Sequence, residues 1–426
     1  MARFTTSFPT HGKLTTVPLA VAYVAVPLVL LWINLTEESR VAFSVIMPWM
    51  ILAFLGLLCA VFQPKPDALW WEKAPAKGLA ISLFVLALFS YAPRVPMRFA
   101  LFIPYIMELT PLVFLLFSLL WAKTCGLPDR ADFQRFGAIL GMLCLMDCVM
   151  ELILYGAIPT VRWIGNADIL AGLLLVSLCA GLKPGQNEGG FVEPDQGRHW
   201  WRVIVMLGLL SCFSRTGLFA AGWVILCFGR GRLLFRILFT ILCLFLICAT
   251  FLFPTTASDA IRYADYWLWM EALRMLSIDP SLLLTGFAIP SALPVQVPMS
   301  MDSIWEAATG HSASAGIFLH QIPSFWLRIT TAWGIFPPLA LLACIFFGLL
   351  RRLNRMGAGL TAALFAQGMT TPLLYDPAMG ISIGLGLILA QTGPSLPGTL
   401  TETQDGTTIP TAADTDSATE WDVRPL

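Results

Sequence analysis

The sequence has little charge and only four histidines, and no lysine lies between Pro254 and Gly334. Charged residues make up 12% of the chain, whereas soluble domains carry about 25%. Together with a hydrophobic fraction of 57% and a mean hydropathy of +0.76, this shortage excludes an ordinary soluble domain. No basic stripe indicates a nucleic-acid surface, so we expect no nucleic-acid partner.

Motifs for nucleotides and metals are also missing. The sequence has no Walker loop, dinucleotide fingerprint, HExxH or GxSxG motif. ATP and NAD chemistry is therefore unsupported, and we expect neither a cofactor nor a metal. The ten cysteines lie in or beside apolar runs. That pattern predicts small core residues rather than a disulfide framework or a metal site.

Long apolar runs dominate the chain instead. A helix needs about 20 apolar residues to cross a bilayer, and repeated runs of that kind predict an all-α, polytopic membrane helix bundle. The first run lacks a small-residue cleavage site, so we interpret it as an uncleaved span. We predict about twelve transmembrane helices, at 17–35, 41–63, 77–92, 99–122, 137–158, 167–182, 201–213, 216–228, 233–254, 325–350, 357–373 and 378–392.

The cations orient these spans. With the N-terminus in the cytoplasm and the sides alternating, 18 of the 26 Lys and Arg residues fall in inner segments, including all six lysines, and 8 fall in outer segments. This bias is what the positive-inside rule predicts when both termini are cytoplasmic.

Two predicted spans are short and flank Arg215. If 201–213 and 216–228 formed one helix, this arginine would lie in the middle of the bilayer, which is costly. The single helix would also reverse every later segment and move the cations of 351–355 outside. We therefore favour two short helices with Arg215 at a tight outer turn.

The predicted spans and their orientation divide the chain into four regions. One large extracytoplasmic loop separates two sets of spans, and a tail rich in Thr, Asp, Pro and Ser is predicted to be disordered. Within the loop, the apolar spacing from Ala260 to Leu276 predicts a helix, and 286–324 reads as an irregular excursion over the helices. The regions are N-terminal transmembrane helices at 1–253, the loop at 254–324, C-terminal transmembrane helices at 325–392 and a cytoplasmic tail at 393–426.

Arginines and histidines in or near this loop are the candidate site residues. The forked guanidinium of Arg215 suits a phosphate or diphosphate, although it could equally snorkel to headgroups or pair with a buried acid. Arg262 and Arg274 can line one groove, or lie on a solvated surface helix. His320, just before the chain re-enters the membrane, is placed to take a proton from a hydroxyl near neutral pH. His311 is its competitor.

Four acids lie within or at the ends of predicted spans: Glu108, Asp147, Glu151 and Asp168. Asp147 and Glu151 are four residues apart and share a helical face. Proton coupling is the functional interpretation of such a pair, because two close carboxylates in a low dielectric are rarely both ionised. Pairing with an outer arginine is the structural interpretation, which we prefer.

Several fragments in a fixed order resemble the O-antigen ligase and O-antigen polymerase superfamily of bacterial envelope enzymes. They flank the large loop, and the resemblance covers roughly residues 160–350; the earlier spans match in number and hydropathy. The fragments are Gly165-Asn166-Ala167-Asp168, Ser214-Arg215-Thr216-Gly217, Trp269-Met270-Glu271-Ala272-Leu273 followed by Asp279-Pro280 and Gly286, and His320 followed by Trp326-Leu327-Arg328 and Gly334-Ile335.

The resemblance implies a metal-independent, inverting glycosyltransferase of the bacterial inner membrane. Its donor would be an undecaprenyl-diphosphate-linked glycan, and its acceptor a glycan or lipid-linked hydroxyl at the periplasmic face. Arg215 and Arg262 would hold the donor diphosphate, and His320 would activate the acceptor hydroxyl. Arg274 and His311 complete the candidate substrate-binding residues, and membrane lipid is the remaining partner.

Two other classes stay open. A twelve-span transporter or lipid-linked oligosaccharide flippase would place its site near the midplane, on broken helices or between repeats. The span count and the buried acids favour it, whereas the polar aromatics gathered in one outer loop do not. A structural subunit of an envelope assembly is the third possibility.

Overall fold

The computed structural model divides the chain into Met1–Gly393 and Pro394–Leu426, and the residues described here all lie in the first unit. They are 14–36, 48–49, 51–52, 103–161, 163–182, 198–229, 232–253, 259–309, 312, 314, 316–350 and 355–392. The predicted span 77–92 and the tail 393–426 lie outside these residues, as does most of the predicted span 41–63.

Every regular element in the described ranges is helical, which confirms the all-α prediction. The helices are α1 (Val17–Thr36, with a π-helical segment at Val21–Ala25), α2 (Ile103–Thr124), α3 (Arg130–Tyr155), α4 (Ala167–Ala180), α5 (Arg198–Ser211), α6 (Arg215–Phe228), α7 (Leu233–Leu252), α8 (Asp259–Ile278), α9 (Leu282–Thr285), α10 (Asp302–Thr309), α11 (Phe325–Trp333), α12 (Phe336–Leu350), α13 (Arg355–Gln367) and α14 (Pro377–Thr392).

Three of the described helices, α1, α3 and α7, are long and apolar enough to cross a membrane. Helices α4, α5, α6 and α14 are apolar but shorter, so the expected count of about twelve spans is not confirmed. Helix α7 is the most exposed of the three, with 11% of its apolar window buried inside the protein. An exposed apolar surface of this extent marks contact with a membrane or with another protein.

Helix α4 lies at the centre of the main apolar core. Its residues from Leu170 to Ala180 are all buried, as expected of a helix that is apolar on every side. It packs against α3, α5, α6, α13 and α14. Its start is set by Asn166, whose side chain accepts a hydrogen bond from the backbone N–H of Asp168.

Contacts between helix ends follow the predicted alternation of sides. Hydrogen bonds between ends assigned to the outer side join Asn34 to Trp163, Ser214 to Asp168 and Arg215 to Thr250. Contacts between ends assigned to the inner side join Gln134 to Ala180, Arg135 to Trp201 and Arg236 to Ile225. Each end therefore meets partners assigned to its own side, which is consistent with alternating spans.

The structure confirms two helices around Arg215. Helix α5 ends at Ser211 and α6 begins at Arg215, with the side chain of Ser214 accepting a hydrogen bond from the N–H of Gly217. Phe213, between them, has a positive φ of 49°. A single continuous helix through this turn is excluded.

The predicted span 325–350 is wrong as one helix, because α11 and α12 are separate. The break is at Gly334, whose φ of +80° and ψ of −176° are essentially restricted to glycine. Gly286 has similar angles at the end of α9. The two glycines let the segments approach closely, and the N–H of Ile335 donates to the Leu283 carbonyl at 2.7 Å.

A second apolar core lies within the described residues of 259–332. We call the described residues of 259–322 the outer segment, after the predicted loop, and this core the outer cluster. Leu268, Ala272 and Leu276 of α8 are buried in it, which confirms most of the stripe predicted for that helix. Leu327 and Ala332 of α11 also belong to it. The loop predicted to end at residue 324 therefore continues structurally through α11. The remaining members are Ala264, Met275, Ile289, Leu293, Trp305, Ile317, Leu319 and Ile322.

Candidate functional site

An apolar cavity of about 500 Å³ lies between α1, α2, α4 and α14. Along α2 it extends from Met107 to Phe117, which is about 15 Å at 1.5 Å per residue. Val26 and Leu173 are typical of its walls. One end is polar, because His320, Arg328 and other polar residues border it there; these are Asn166, Tyr375 and Asp376. The cavity is therefore apolar along its length and polar at one end.

A smaller polar cavity of about 220 Å³ adjoins this end. It is bordered by the start of α4, by α8, by the 3₁₀ turn Leu319–Gln321 and by the chain after α13. Hydroxyl, amide, carboxylate and imidazole groups line it. The polar residues are Asn166, Asp168, Asp265, His320, Gln321, Thr370 and Thr371.

His320 borders both cavities, together with Asn166 and Ile169. Its side chain is exposed, and its ring lies parallel to that of Phe318 with 5.9 Å between the centroids. The turn that carries it is held by Gln321, whose side chain accepts a hydrogen bond from the N–H of Phe318. The structure therefore places this predicted site residue at the junction of an apolar and a polar compartment.

The starts of two helices face the junction. Asn166 caps α4, and Asp376 caps α14 by accepting a hydrogen bond from the N–H of Met379 at 3.0 Å. Both capping residues line the apolar cavity at its polar end. The first-turn N–H groups of a helix carry partial positive charge and favour an anionic group nearby. The polar end of the apolar cavity thus combines helix starts with a wide apolar space.

A buried ion pair lies directly behind His320. The Nε and Nη2 atoms of Arg328 donate to the Glu108 carboxylate, with the shortest distance 2.7 Å. Its Nη1 atom donates to the backbone carbonyl of His320 at 3.1 Å. The guanidinium also stacks on the ring of Tyr375, 3.7 Å from the centroid. Arg328 is 6% exposed and Glu108 is 4% exposed, so water competes little with these bonds.

Two carboxylates face the polar cavity. Asp168 accepts a hydrogen bond from the Ser214 hydroxyl, and its backbone carbonyl accepts one from Gln367 at 2.6 Å. Partial withdrawal from water at the cavity wall, and then the nearby charge of Asp168, raise the pKa of Asp265 to about 6. A carboxylate with such a pKa changes charge just below neutral pH. Both acids line the cavity that His320 also borders.

Arg215 lies beside this cavity without bordering it. Its Nε and Nη2 atoms donate to the side chain and backbone carbonyl of Thr250, at 2.9 and 2.8 Å. The guanidinium stacks on Phe251, 3.7 Å from the ring centroid. The preceding residue, Ser214, contacts Asp168 at the cavity wall. The arginine is thus next to the site, with its guanidinium at the end of α7.

The other predicted substrate-binding residues are placed differently. Arg274 is exposed, at 68% for the side chain, and forms an ion pair with Glu271 at 3.2 Å. It borders neither of the two cavities described above. Arg262 lies in α8, but its side chain is outside the described residues, as is His311.

Asp147 and Glu151 bind the loop that follows α3. Asp147 accepts hydrogen bonds from the N–H groups of Trp163 and Ile164, and Glu151 accepts one from Thr160 at 2.8 Å. Both acids are buried. Part of their role is therefore to hold the chain between α3 and α4.

Sequence reasoning missed the residues that surround His320. Glu108 was noted as an acid in an apolar run, and a lone acid there is itself a signal that a buried cation lies nearby. Nothing in the sequence paired it with Arg328, which is 220 residues away. Tyr375 and Asp265 carried no motif at all.

Within the described residues, no group of three or more His, Cys, Asp or Glu side chains is arranged to hold a metal ion. The sequence matches no known protein-family model and no curated protein.

Proposed function

We propose that this protein is a membrane glycan transferase of the O-antigen ligase or polymerase type. It transfers an undecaprenyl-diphosphate-linked glycan to an acceptor hydroxyl at the periplasmic face of the bacterial inner membrane. The protein crosses that membrane about twelve times, with both termini in the cytoplasm. The observation that carries the proposal is the position of His320, between the apolar cavity of about 500 Å³ and the polar cavity of about 220 Å³.

The apolar cavity suits the polyprenyl part of the donor. Its walls are apolar over about 15 Å of α2, and its polar end lies beside the starts of α4 and α14. A lipid diphosphate would place its tail along the walls and its charge at the polar end, by the start of α4, which the neutral Asn166 caps. Arg215 and Arg262 are the candidate cations for the diphosphate. For Arg215 to bind the diphosphate, its guanidinium would have to break the hydrogen bond to the Thr250 carbonyl, or attract the diphosphate at longer range past Ser214.

The polar cavity suits the acceptor. A sugar hydroxyl there would lie against His320 on the side away from the apolar cavity. In an inverting transfer, the acceptor oxygen forms a bond to C1 as the bond from C1 to the diphosphate oxygen breaks on the opposite face. The hydroxyl proton passes to the imidazole, and the electron pair of the broken bond leaves with the diphosphate.

Charge stabilisation divides between the two cavities. Negative charge grows on the departing diphosphate, where fixed dipoles and cations act strongly because water is scarce. Positive charge grows on His320, where Asp168 and Asp265 line the same cavity. General-base assistance of this kind contributes roughly 10²–10⁴-fold.

The test is complementation of cells that lack the gene, followed by gel analysis of surface glycans. The wild-type chain should restore them, and His320→Ala should fail at unchanged protein level and membrane insertion. Glu306→Gln is the matched control, because this acid is exposed on α10 in the same outer segment. Long chains stranded on the carrier would indicate a ligase, and lipid-linked repeats without long chains would indicate a polymerase.

Two results would contradict the proposal. If deletion of the gene left the surface glycans unaltered, the proposed transferase activity would be wrong. Lipid-linked glycans that accumulate only on the cytoplasmic side would indicate a flippase. Full activity of His320→Ala would instead remove the proposed base, and His311 would become the next candidate.

A further inference from the structure

Arg328 divides its hydrogen bonds between two different parts of the protein. Two of its nitrogens, Nε and Nη2, bind Glu108 on α2. The third, Nη1, binds the backbone carbonyl of His320 in the short turn between the outer segment and α11. Tyr375, just before α14, covers the face of the guanidinium. One side chain thus connects the turn with α2 and with the start of α14.

We infer that Arg328 is a positioning residue for His320, and that Glu108 acts through it. The inference rests on the proposed function. The guanidinium fixes the His320 carbonyl, and with it the backbone from which the imidazole projects to the junction of the two cavities. Glu108 sets the orientation of the guanidinium through a bidentate contact, whose geometry a lysine cannot reproduce.

The turn needs such an anchor because it is short. It is a single 3₁₀ turn at Leu319–Gln321, and such turns have poorer hydrogen-bond geometry than an α-helix. The imidazole itself is exposed, whereas Arg328 is buried behind it. A shift of about 1 Å in a catalytic group can cost about 10²-fold in rate. We therefore expect loss of the Arg328 contact to lower kcat more than it weakens substrate binding.

The ion pair alone does not explain this arrangement. Replacing a buried ion pair by apolar residues of similar volume is often neutral or stabilising, whereas removal of one partner is strongly destabilising. The double variant Glu108→Leu/Arg328→Met should therefore keep the fold. It also removes the donor to the His320 carbonyl, so it separates positioning from stability.

The first experiment measures transfer by purified protein in liposomes, with donor and acceptor lipids extracted from cells that lack the gene. We expect the double variant to melt near the wild-type temperature and to lose about 10- to 100-fold in kcat. Its KM for the donor lipid should stay within about twofold, because the apolar walls are unchanged and the Arg328 guanidinium is already engaged by Glu108, the His320 carbonyl and Tyr375. A purely structural role of the pair predicts unchanged kcat once the fold is retained.

The second experiment does not depend on transfer. Diethylpyrocarbonate modifies accessible imidazoles, and mass spectrometry resolves His320 from the other three histidines. We expect its modification rate, relative to those three, to change at least about threefold in the double variant. If wild-type protein transfers no glycan, the proposed function fails, while this rate still tests the anchor.

Arg328→Lys serves as a second variant in case the double variant does not fold. Its single ammonium keeps the charge opposite Glu108 but cannot reproduce the three-sided contact. A loss of kcat with unchanged KM, and a changed His320 modification rate, is again the expected result. Wild-type kcat and modification rate in a folded variant of either kind would overturn the inference.

Discussion

The close approach of the chain segments at Gly286 and Gly334 offers the sharpest test of what holds the outer segment in place. A Cβ at position 334 would lie 2.4 Å from the carbonyl oxygen of Leu284, a backbone atom that cannot rotate away. The glycine-only backbone angles cost a further 1–3 kcal/mol, roughly, for any other residue. Relief of the clash would also break the bond from the Ile335 N–H to Leu283, worth about 1 kcal/mol. We expect Gly334→Ala to destabilise the outer cluster by about 2–4 kcal/mol.

The assay is hydrogen exchange followed by mass spectrometry on peptides that cover 282–290 and 330–340, together with thermal melting in detergent. Backbone amides near Gly286 and Gly334 should exchange faster, and the melting temperature should fall. Gly156→Ala is the matched control. Its φ is also positive, at +61°, but a Cβ there has no atom within 4 Å. It should show only the cost of a left-handed residue, about 1–2 kcal/mol.

Equal behaviour of the two variants would refute this account. In that case the close approach of the α9 and α11 ends would not limit stability. Unchanged exchange at 282–290 in Gly334→Ala would likewise show that the contact between these segments is dispensable.

Two further predictions concern the cavities. Because the folded state raises the pKa of Asp265 to about 6, its contribution to stability is present below about pH 4 and is lost as the pH rises through 6. Asp265→Asn should therefore melt above the wild type at pH 7 and equally at pH 4, and a lower melting temperature at pH 7 would contradict this. In the apolar cavity, Val26→Phe should raise the KM for a long-chain donor while leaving a short-prenyl analogue unaffected. Leu28→Phe, on the outward face of the same helix with 44% exposure, should change neither value.

The helices were largely predictable because their signals are local. The predicted span 233–254 is observed as Leu233–Leu252, and 167–182 as Ala167–Ala180. The separation at Arg215 followed from the cost of a buried cation, which is also a local argument. Hydropathy could not find the break at Gly334, because apolar residues continue on both sides of it. The break depends on contact with Leu284, which is distant in the sequence.

The candidate site was predictable only in part. His320 was found from its position beside the apolar run, and it does border the cavities. Arg274 was predicted either to line a groove with Arg262 or to lie on a solvated helix surface, and the structure shows it exposed and paired with Glu271. The pairing of Glu108 with Arg328 depends on packing between α2 and α11. No periodicity or motif encodes a contact between helices so far apart in the chain.

The apolar cavity is built from both ends of the described chain. Ala22, in the first described helix, and Ile381, in the last, face the same space. During synthesis on the ribosome, the cavity therefore stays open on one side until the last described helix has been made. A premature stop before Tyr375 would remove that wall, so most of the chain would be made without a closed cavity.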